Sequence, residues 1–167
     1  FIDAEAQRRG FGNLTVITCD VNLLSFPAGT PFNRVVSIEM FEHMRNYTRL
    51  LENVSRWLKD DGKLFVHIFT HKEYTYLFEV KDDRDWMSKY FFTGGMMPAD
   101  HLLFYFNDRL AVDRHWQIGG VHYQKTAQAW LRNMDSHRKE IMPIFAETYG
   151  KDNAETWWVY WRVFFMS

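Results

Sequence analysis

SIEMFEHM, residues 37–44, decides how the rest of this chain is read. Val35 and Val36 precede it, and Ile38 and Met40 continue the apolar run. A short apolar run bounded by polar residues predicts a buried parallel strand. Three titratable side chains, Glu39, Glu42 and His43, fall where that strand would end. In open α/β sheets, ligands bind at the carboxyl ends of strands. Two carboxylates and an imidazole are groups that hold a cation and accept a proton. A plainer reading fits the same spacing: the glutamates complement the dipole of the next helix, and His43 is solvated.

The flanking sequence supplies the rest of an alternating pattern. Residues 1–9 predict a helix tail ended by Gly10. Gly10 and Gly12 follow no strand, so they read as a turn and not as a phosphate-binding loop. LTVITCDV (14–21) predicts a strand closing on Asp20, followed by a loop with Pro27, Gly29 and Pro31. A second strand covers 34–38. A helix is expected over about 45–59, with Tyr47, Leu50, Leu51, Val54, Trp57 and Leu58 on one face. Asp60-Asp61-Gly62 reads as its exit turn, and KLFVHIFT (63–70) as the third strand, leading to His71. Alternating strands and helices predict a parallel sheet covered by helices.

The alternation is lost over 72–109. Trp86, Met87, Tyr90, Phe91 and Phe92 run into Gly94-Gly95 and then Met96, Met97 and Pro98. A mobile lid over an apolar ligand and a packed crossover both fit this composition. LAVDRHWQI (110–118) predicts a fourth strand broken by Gly119-Gly120, and a helix is expected from near Thr126. A second helix spans 138–149 with Pro143 near its start, ending at Gly150. Asp152 and Glu155 have capping-box spacing. The helix after them, TWWVYWRVFFM, is apolar nearly all round and expects cover on both sides.

The 167 residues suffice for one domain with a sizeable core. A net charge of −1 with interspersed signs argues against a nucleic-acid surface. Aromatics at 18% fill a core or wall a pocket for a flat or cationic ligand. The single cysteine, Cys19, forms no internal disulfide and fits a reducing, cytoplasmic compartment. No apolar stretch approaches the roughly 20 residues of a spanning helix. His67 and His71 flank the end of the third strand, but neither cysteine nor paired acid accompanies them, which disfavours a metal site.

SIEMFEHM with Asn46-Tyr47, GKLFVHIFTHK (62–72), DWMSKYFFTGGMMP (85–98), HWQIGGVHYQKT (115–126), TYGKD (148–152) and WWVYWRVFF (157–165) together carry a resemblance. In that order they resemble the plant-type coclaurine N-methyltransferases and, through them, the cyclopropane fatty-acid synthases. The resemblance covers essentially the whole chain. It implies an α/β class I methyltransferase (Rossmann-like) fold, S-adenosylmethionine as methyl donor and an aromatic secondary or tertiary amine as acceptor. By the same resemblance, Glu42 and His43 match an acid–base pair at the amine and Glu39 a further carboxylate facing it. Asp20 and Val21 match positions that hold the adenine. Phe91, Phe92, Trp157, Tyr160 and Trp161 lie in segments that line the substrate pocket. Residues 1–71 then belong to the cofactor-binding core and 72–167 to a substrate-binding, lid-like region.

Two other functions fit parts of the pattern. Cyclopropane synthases resemble this chain at Glu42, His67 and Tyr123, which they use to hold a bicarbonate base, but usually carry glycine at the position of Glu39. Glu39 therefore favours the amine. A non-catalytic methyltransferase-like binding module is the third reading. The chain reads as an internal piece of a longer protein, lacking the fold's first two strands and its last, with helical insertions in its C-terminal half. In the fold it resembles, only 34–38 and 63–70 would be sheet neighbours, while 14–20 and 110–118 would lack partners. Such a piece alone is expected to bind the cofactor negligibly.

Overall fold

A computed structural model of the chain describes residues 1–27 and 31–167; Gly29 of the expected loop lies outside the described residues. A short helix, α1 (Ile2–Arg8), ends at Gly10, whose φ of +70° is a left-handed conformation that glycine adopts freely. The centre of the fold is one β–α–β unit. Strand β1 (Phe32–Ile38) runs parallel to β2 (Leu58–His67), with Val36 opposite Phe65 and Ile38 opposite His67. Helix α2 (Tyr47–Trp57) joins them.

The helix forms where the apolar spacing demands it. Tyr47, Leu50, Leu51 and Val54 are buried along one stripe, and the Asn46 side chain caps the first turn by accepting the Arg49 N–H at 3.0 Å. That stripe, with Phe41, Leu58 and Met96, is the core, against which Val35, Leu64 and Val66 pack from the sheet. The other sheet face, with Val36, Ile38 and Phe65, is exposed. The Asp60-Asp61-Gly62 turn forms as a bulge inside β2, because the register steps from Phe32 opposite Leu58 to Arg34 opposite Lys63. A Cβ on Gly62 would lie 2.8 Å from the Lys59 carbonyl oxygen, so the bulge needs glycine there.

Neither 14–21 nor 110–118 forms a strand among the described residues, contrary to their composition. Among the described residues, the sheet holding β1 and β2 has two strands. A strand is defined by its ladder, and among the described residues these two segments have no backbone ladder partner. Thr15, Ile17, Cys19 and Val21 instead line a cleft of about 460 Å³ with Leu24, Phe26 and Phe32. Segment 110–118 is tied to β2 by side chains: Lys63 Nζ meets Asp113 Oδ2 at 2.6 Å, and Phe65 packs on Trp116.

The 72–109 region is a packed crossover. Strands β3 (Tyr76–Leu77) and β4 (Met96–Met97) pair antiparallel around helix α3 (Trp86–Tyr90). Gly94 and Gly95 are pinned: the Gly94 carbonyl accepts Arg45 Nε–H at 2.8 Å, and the Gly95 carbonyl accepts the Phe78 N–H at 3.0 Å. Helix α4 (Val121–Ser136) starts directly after Gly119-Gly120, five residues before Thr126, because the glycine carbonyls accept the N–H groups of His122 and Gln124. Helix α5 (Arg138–Tyr149) ends at Gly150, φ +90°, as its sequence predicts. Helix α6 (Ala154–Met166) has no side-chain cap, so the Asp152/Glu155 box does not form. Glu155 is taken by Arg138, whose Nη2 meets both carboxylate oxygens at 2.6 and 2.7 Å while its guanidinium lies over Trp158. Rings from α3 cover α6 on one side and α4 and α5 on another, leaving Val159, Val163 and Met166 as an exposed stripe. Among the described residues no helix is long and apolar enough to cross a membrane.

Candidate active site

The end of β1 passes into a 3-10 turn, Phe41–His43, and the sequence explains why the turn buries a charge-bearing group. Phe41 is wholly buried in the core, and Tyr47 holds it there: the phenol donates to the Phe41 carbonyl at 2.9 Å. Glu42, the next residue, is drawn in with it and is 1% exposed, while His43 stays at the surface. Glu42 Oε2 is buried and has no hydrogen-bond partner among the described residues. Leaving a buried polar atom unpaired costs about 1–3 kcal/mol, more if charged, so such an atom marks a place built for a missing donor.

Electrostatics follow from that placement. Burial pushes the Glu42 carboxyl up to about 7, helped by the charge of Glu39; its own backbone hydrogen bond and the charge of His67 pull the other way. Burial, with a smaller push from Glu42, holds the Tyr47 phenol up at about 12, so it remains a donor. Burial and then the charges of Glu39 and Glu42 also raise Tyr123, in the first turn of α4. Titratable groups pushed towards neutrality in this way cluster at functional sites.

Glu39 sits at the same strand end in an unusual backbone conformation, φ +52°. A non-glycine residue rarely adopts this region. Its N–H donates to the His67 carbonyl at 2.9 Å, and its Oε1 meets His67 Nδ1 at 2.8 Å. His71 belongs to a separate network: its Nδ1 accepts the backbone N–H groups of Glu73 and Tyr74. The two histidines therefore have different partners.

The structure brings most of the sequence-predicted residues into one continuous region. Phe92 stacks on His43 with ring centroids 6.3 Å apart and reaches Phe164 of α6. Phe91 stacks on Phe164 at 4.5 Å and meets Trp161 edge-on at 5.1 Å. Trp157 and Tyr160 lie at the far end of this wall, against Tyr90. Residues 157, 160, 161 and 164 recur at helical spacing, which puts them on one face of α6. Gly95 closes the region from below: a Cβ there would come within 2.8 Å of the Glu42 carbonyl oxygen.

Asp20 and Val21 stand apart from the carboxylates but share their foundation. Val21 lines the 460 Å³ cleft and packs against the core that holds Phe41. Asp20 is exposed, its Oδ1 accepting the backbone and side-chain N–H groups of Asn22 at 2.8 and 2.9 Å. The contact between Glu39 and His67 and the phenol of Tyr47 beneath the turn are neighbours of the candidate site that the sequence pattern does not reveal. The period-two alternation of FVHIF places His67 on a known face of β2, but only the register of β1 against β2 sets it beside Glu39.

Residues 14–163 match the family described as mycolic acid cyclopropane synthetase. The (S)-coclaurine N-methyltransferase of Thalictrum flavum subsp. glaucum is 34% identical over 100% of this chain and 47% of its own length. That of Papaver somniferum is 33% identical over 99% of this chain and 48% of its own. A crystal structure of coclaurine N-methyltransferase bound to N-methylheliamine and SAH superposes with a TM-score of 0.88 at 34% identity, covering 98% of this chain and 48% of that one. The chain thus has that structure's fold and spans about half the length of the relatives it matches.

Proposed function

This chain belongs to the mycolic acid cyclopropane synthetase family, and on that premise we propose that the full-length protein methylates the nitrogen of an aromatic secondary or tertiary amine. The observation that carries this reading is the buried Oε2 of Glu42, without a partner among the described residues, next in sequence to the exposed imidazole of His43, which stacks on Phe92. An amine nitrogen attacks only with its lone pair free, and such amines are mostly protonated at neutral pH. Glu42, ionising near pH 7, accepts that proton, and His43 at the surface passes it to solvent. Glu39 attracts the incoming ammonium, and Phe91, Phe92, Trp157, Tyr160 and Trp161 supply apolar walls and π faces for its rings. Orientation against these walls supplies part of the rate by holding the nitrogen in line with the methyl carbon.

S-Adenosylmethionine, the cofactor of this reading, supplies a methyl group on a positively charged sulfur. The residues present fit its adenosine end: the cleft beside Val21 is of a size typical for ligands, and its lining is mostly apolar. Asp20 and Val21 would hold the adenine there. In this reading, 1–71 form part of the cofactor-binding core and 72–167 the substrate-binding region. The unpaired Cys19 suits a cytoplasmic setting.

A second reading, cyclopropane synthesis on lipid alkenes, is favoured by one observation: His67 meets Glu39, and the Tyr123 phenol is close enough to feel the charges of Glu39 and Glu42. Glu39 weighs against it, because its carboxylate already occupies His67 and has no role towards an uncharged alkene. The test is to incubate full-length protein with S-adenosylmethionine and a tetrahydroisoquinoline, and to analyse lipids of an expressing host by mass spectrometry. N-Methylated product without cyclopropane lipid is the expected result; cyclopropane lipid would overturn it.

A further inference from the structure

His67 grips Glu39 twice, once through its backbone and once through its side chain. Its carbonyl accepts the Glu39 N–H at 2.9 Å, extending the β1–β2 ladder one residue beyond the Ile38–His67 pair. Its Nδ1 meets Glu39 Oε1 at 2.8 Å. Glu39 itself is held at φ +52°, a conformation that survives in a glutamate only where its surroundings impose it. The backbone bond fixes where the residue starts, and the imidazole fixes where its carboxylate ends.

We propose that His67 is the positioning residue of the amine site, clamping Glu39 as the fixed counter-ion of the substrate ammonium so that Glu42 alone takes the proton. The inference rests on the amine reading above. It gives the two glutamates different work. Glu39 has an imidazole nitrogen at hydrogen-bond distance from one carboxylate oxygen, whereas Glu42 is buried with one oxygen that has no partner among the described residues. In the reaction, the N–H bond of the ammonium breaks, its proton goes to a Glu42 oxygen, and the freed lone pair forms the N–CH₃ bond. The C–S bond of the donor breaks and its electron pair stays on sulfur. The positive charge ends on the product nitrogen, still opposite Glu39. The charged and titratable groups around the pair are Glu42 and His43 on the turn, Tyr47 from α2 and Tyr123 from α4. Of these, Glu42 is the one that His67 influences through charge, drawing its ionisation downward.

The test uses full-length protein, a tetrahydroisoquinoline as the amine, and steady-state kinetics across pH. Glu39→Gln is expected to raise the amine KM by about tenfold or more, the usual cost of losing a charged hydrogen-bond partner. His67→Ala is expected to raise KM similarly and to move the acidic limb of the kcat profile to higher pH. His67→Asn, which keeps a neutral donor, is expected to restore KM while leaving the limb displaced. Adding His67→Ala to Glu39→Gln is expected to change KM by less than about twofold, since the two act as one unit. A KM raised by Glu39→Gln but untouched by His67→Ala overturns the clamp alone, as does full additivity in the double variant. An unchanged KM in Glu39→Gln overturns the amine reading and the clamp with it. If His67→Ala does not fold, His67→Asn decides by its pH limb: an unmoved limb overturns the proposal.

Discussion

The turn that carries Glu42 and the aromatic wall on α6 are built in opposite ways. Under the turn lies a small core of wholly buried side chains: Phe41, Tyr47, Leu50 and Val54 are each 3% exposed or less. Its position is fixed by backbone pairing on β2 and by one buried phenol-to-carbonyl bond. The wall consists of half-buried rings resting on each other, and α6 is latched to α5 by an exposed Arg138–Glu155 pair. Close-packed interiors resist small displacements, whereas half-exposed rings on adjoining helices move at modest cost. In the proposed reaction, the residues that would move a proton are thus on the stiff half of the molecule. The residues that would meet the substrate's rings are on the compliant half, which in that reading would accommodate a range of amine shapes.

The sharpest way to break this comparison is at Glu42. In the full-length protein, Glu42→Gln is expected to lower kcat for amine methylation by roughly 10²–10⁴-fold, the range for losing general acid–base help. The same change is expected to affect stability in a pH-dependent way. The folded-state carboxyl ionises near 7 and the unfolded one near its ordinary 4.5, so the fold binds this proton more tightly. Its contribution is fully present below about 4.5 and is lost as pH rises from there through 7, by up to about 3 kcal/mol. Urea unfolding at pH 5 and pH 8 should show that difference in the parent and not in Glu42→Gln. A variant with parental kcat would remove Glu42 from the chemistry.

Phe41→Ala tests the stiff half directly. Emptying a fully buried phenylalanine site should cost about 3–5 kcal/mol, read as a fall in the urea midpoint at constant slope. The smallest effect is expected on the compliant half: Arg138→Ala should cost about 1 kcal/mol or less, because the pair is solvent-exposed and only its stacking on Trp158 adds to it. An Arg138→Ala loss as large as that of Phe41→Ala would erase the distinction.

What was legible in the sequence divides by the reach of the interactions. Helix α2 and the strands on either side of it follow from local pattern, because their apolar stripe, cap and turn lie within a few residues of each other. Glu39, Glu42 and His43 could be singled out because a strand end is a local feature. Segments 14–21 and 110–118 have strand composition, but a ladder needs a neighbour that composition does not specify. The capping box at Asp152 and Glu155 is a local motif defeated by a distant competitor, since Arg138 approaches from 17 residues away. The Glu39–His67 pair likewise depends on register between two strands, and no short motif encodes it.

The left-handed backbone at Glu39 bears on how such a site changes over generations. At φ +52° glycine is the least strained occupant, so replacing Glu39 by glycine relieves the main chain at the moment it deletes the carboxylate. Codons for the two residues differ by a single base. The step from an ammonium-holding pocket to one with His67 left vacant for another anion therefore meets no conformational barrier, and the reverse step meets only the strain of one residue. On the proposed reading, position 39 would let one substitution change what the pocket holds, on a backbone that already suits glycine.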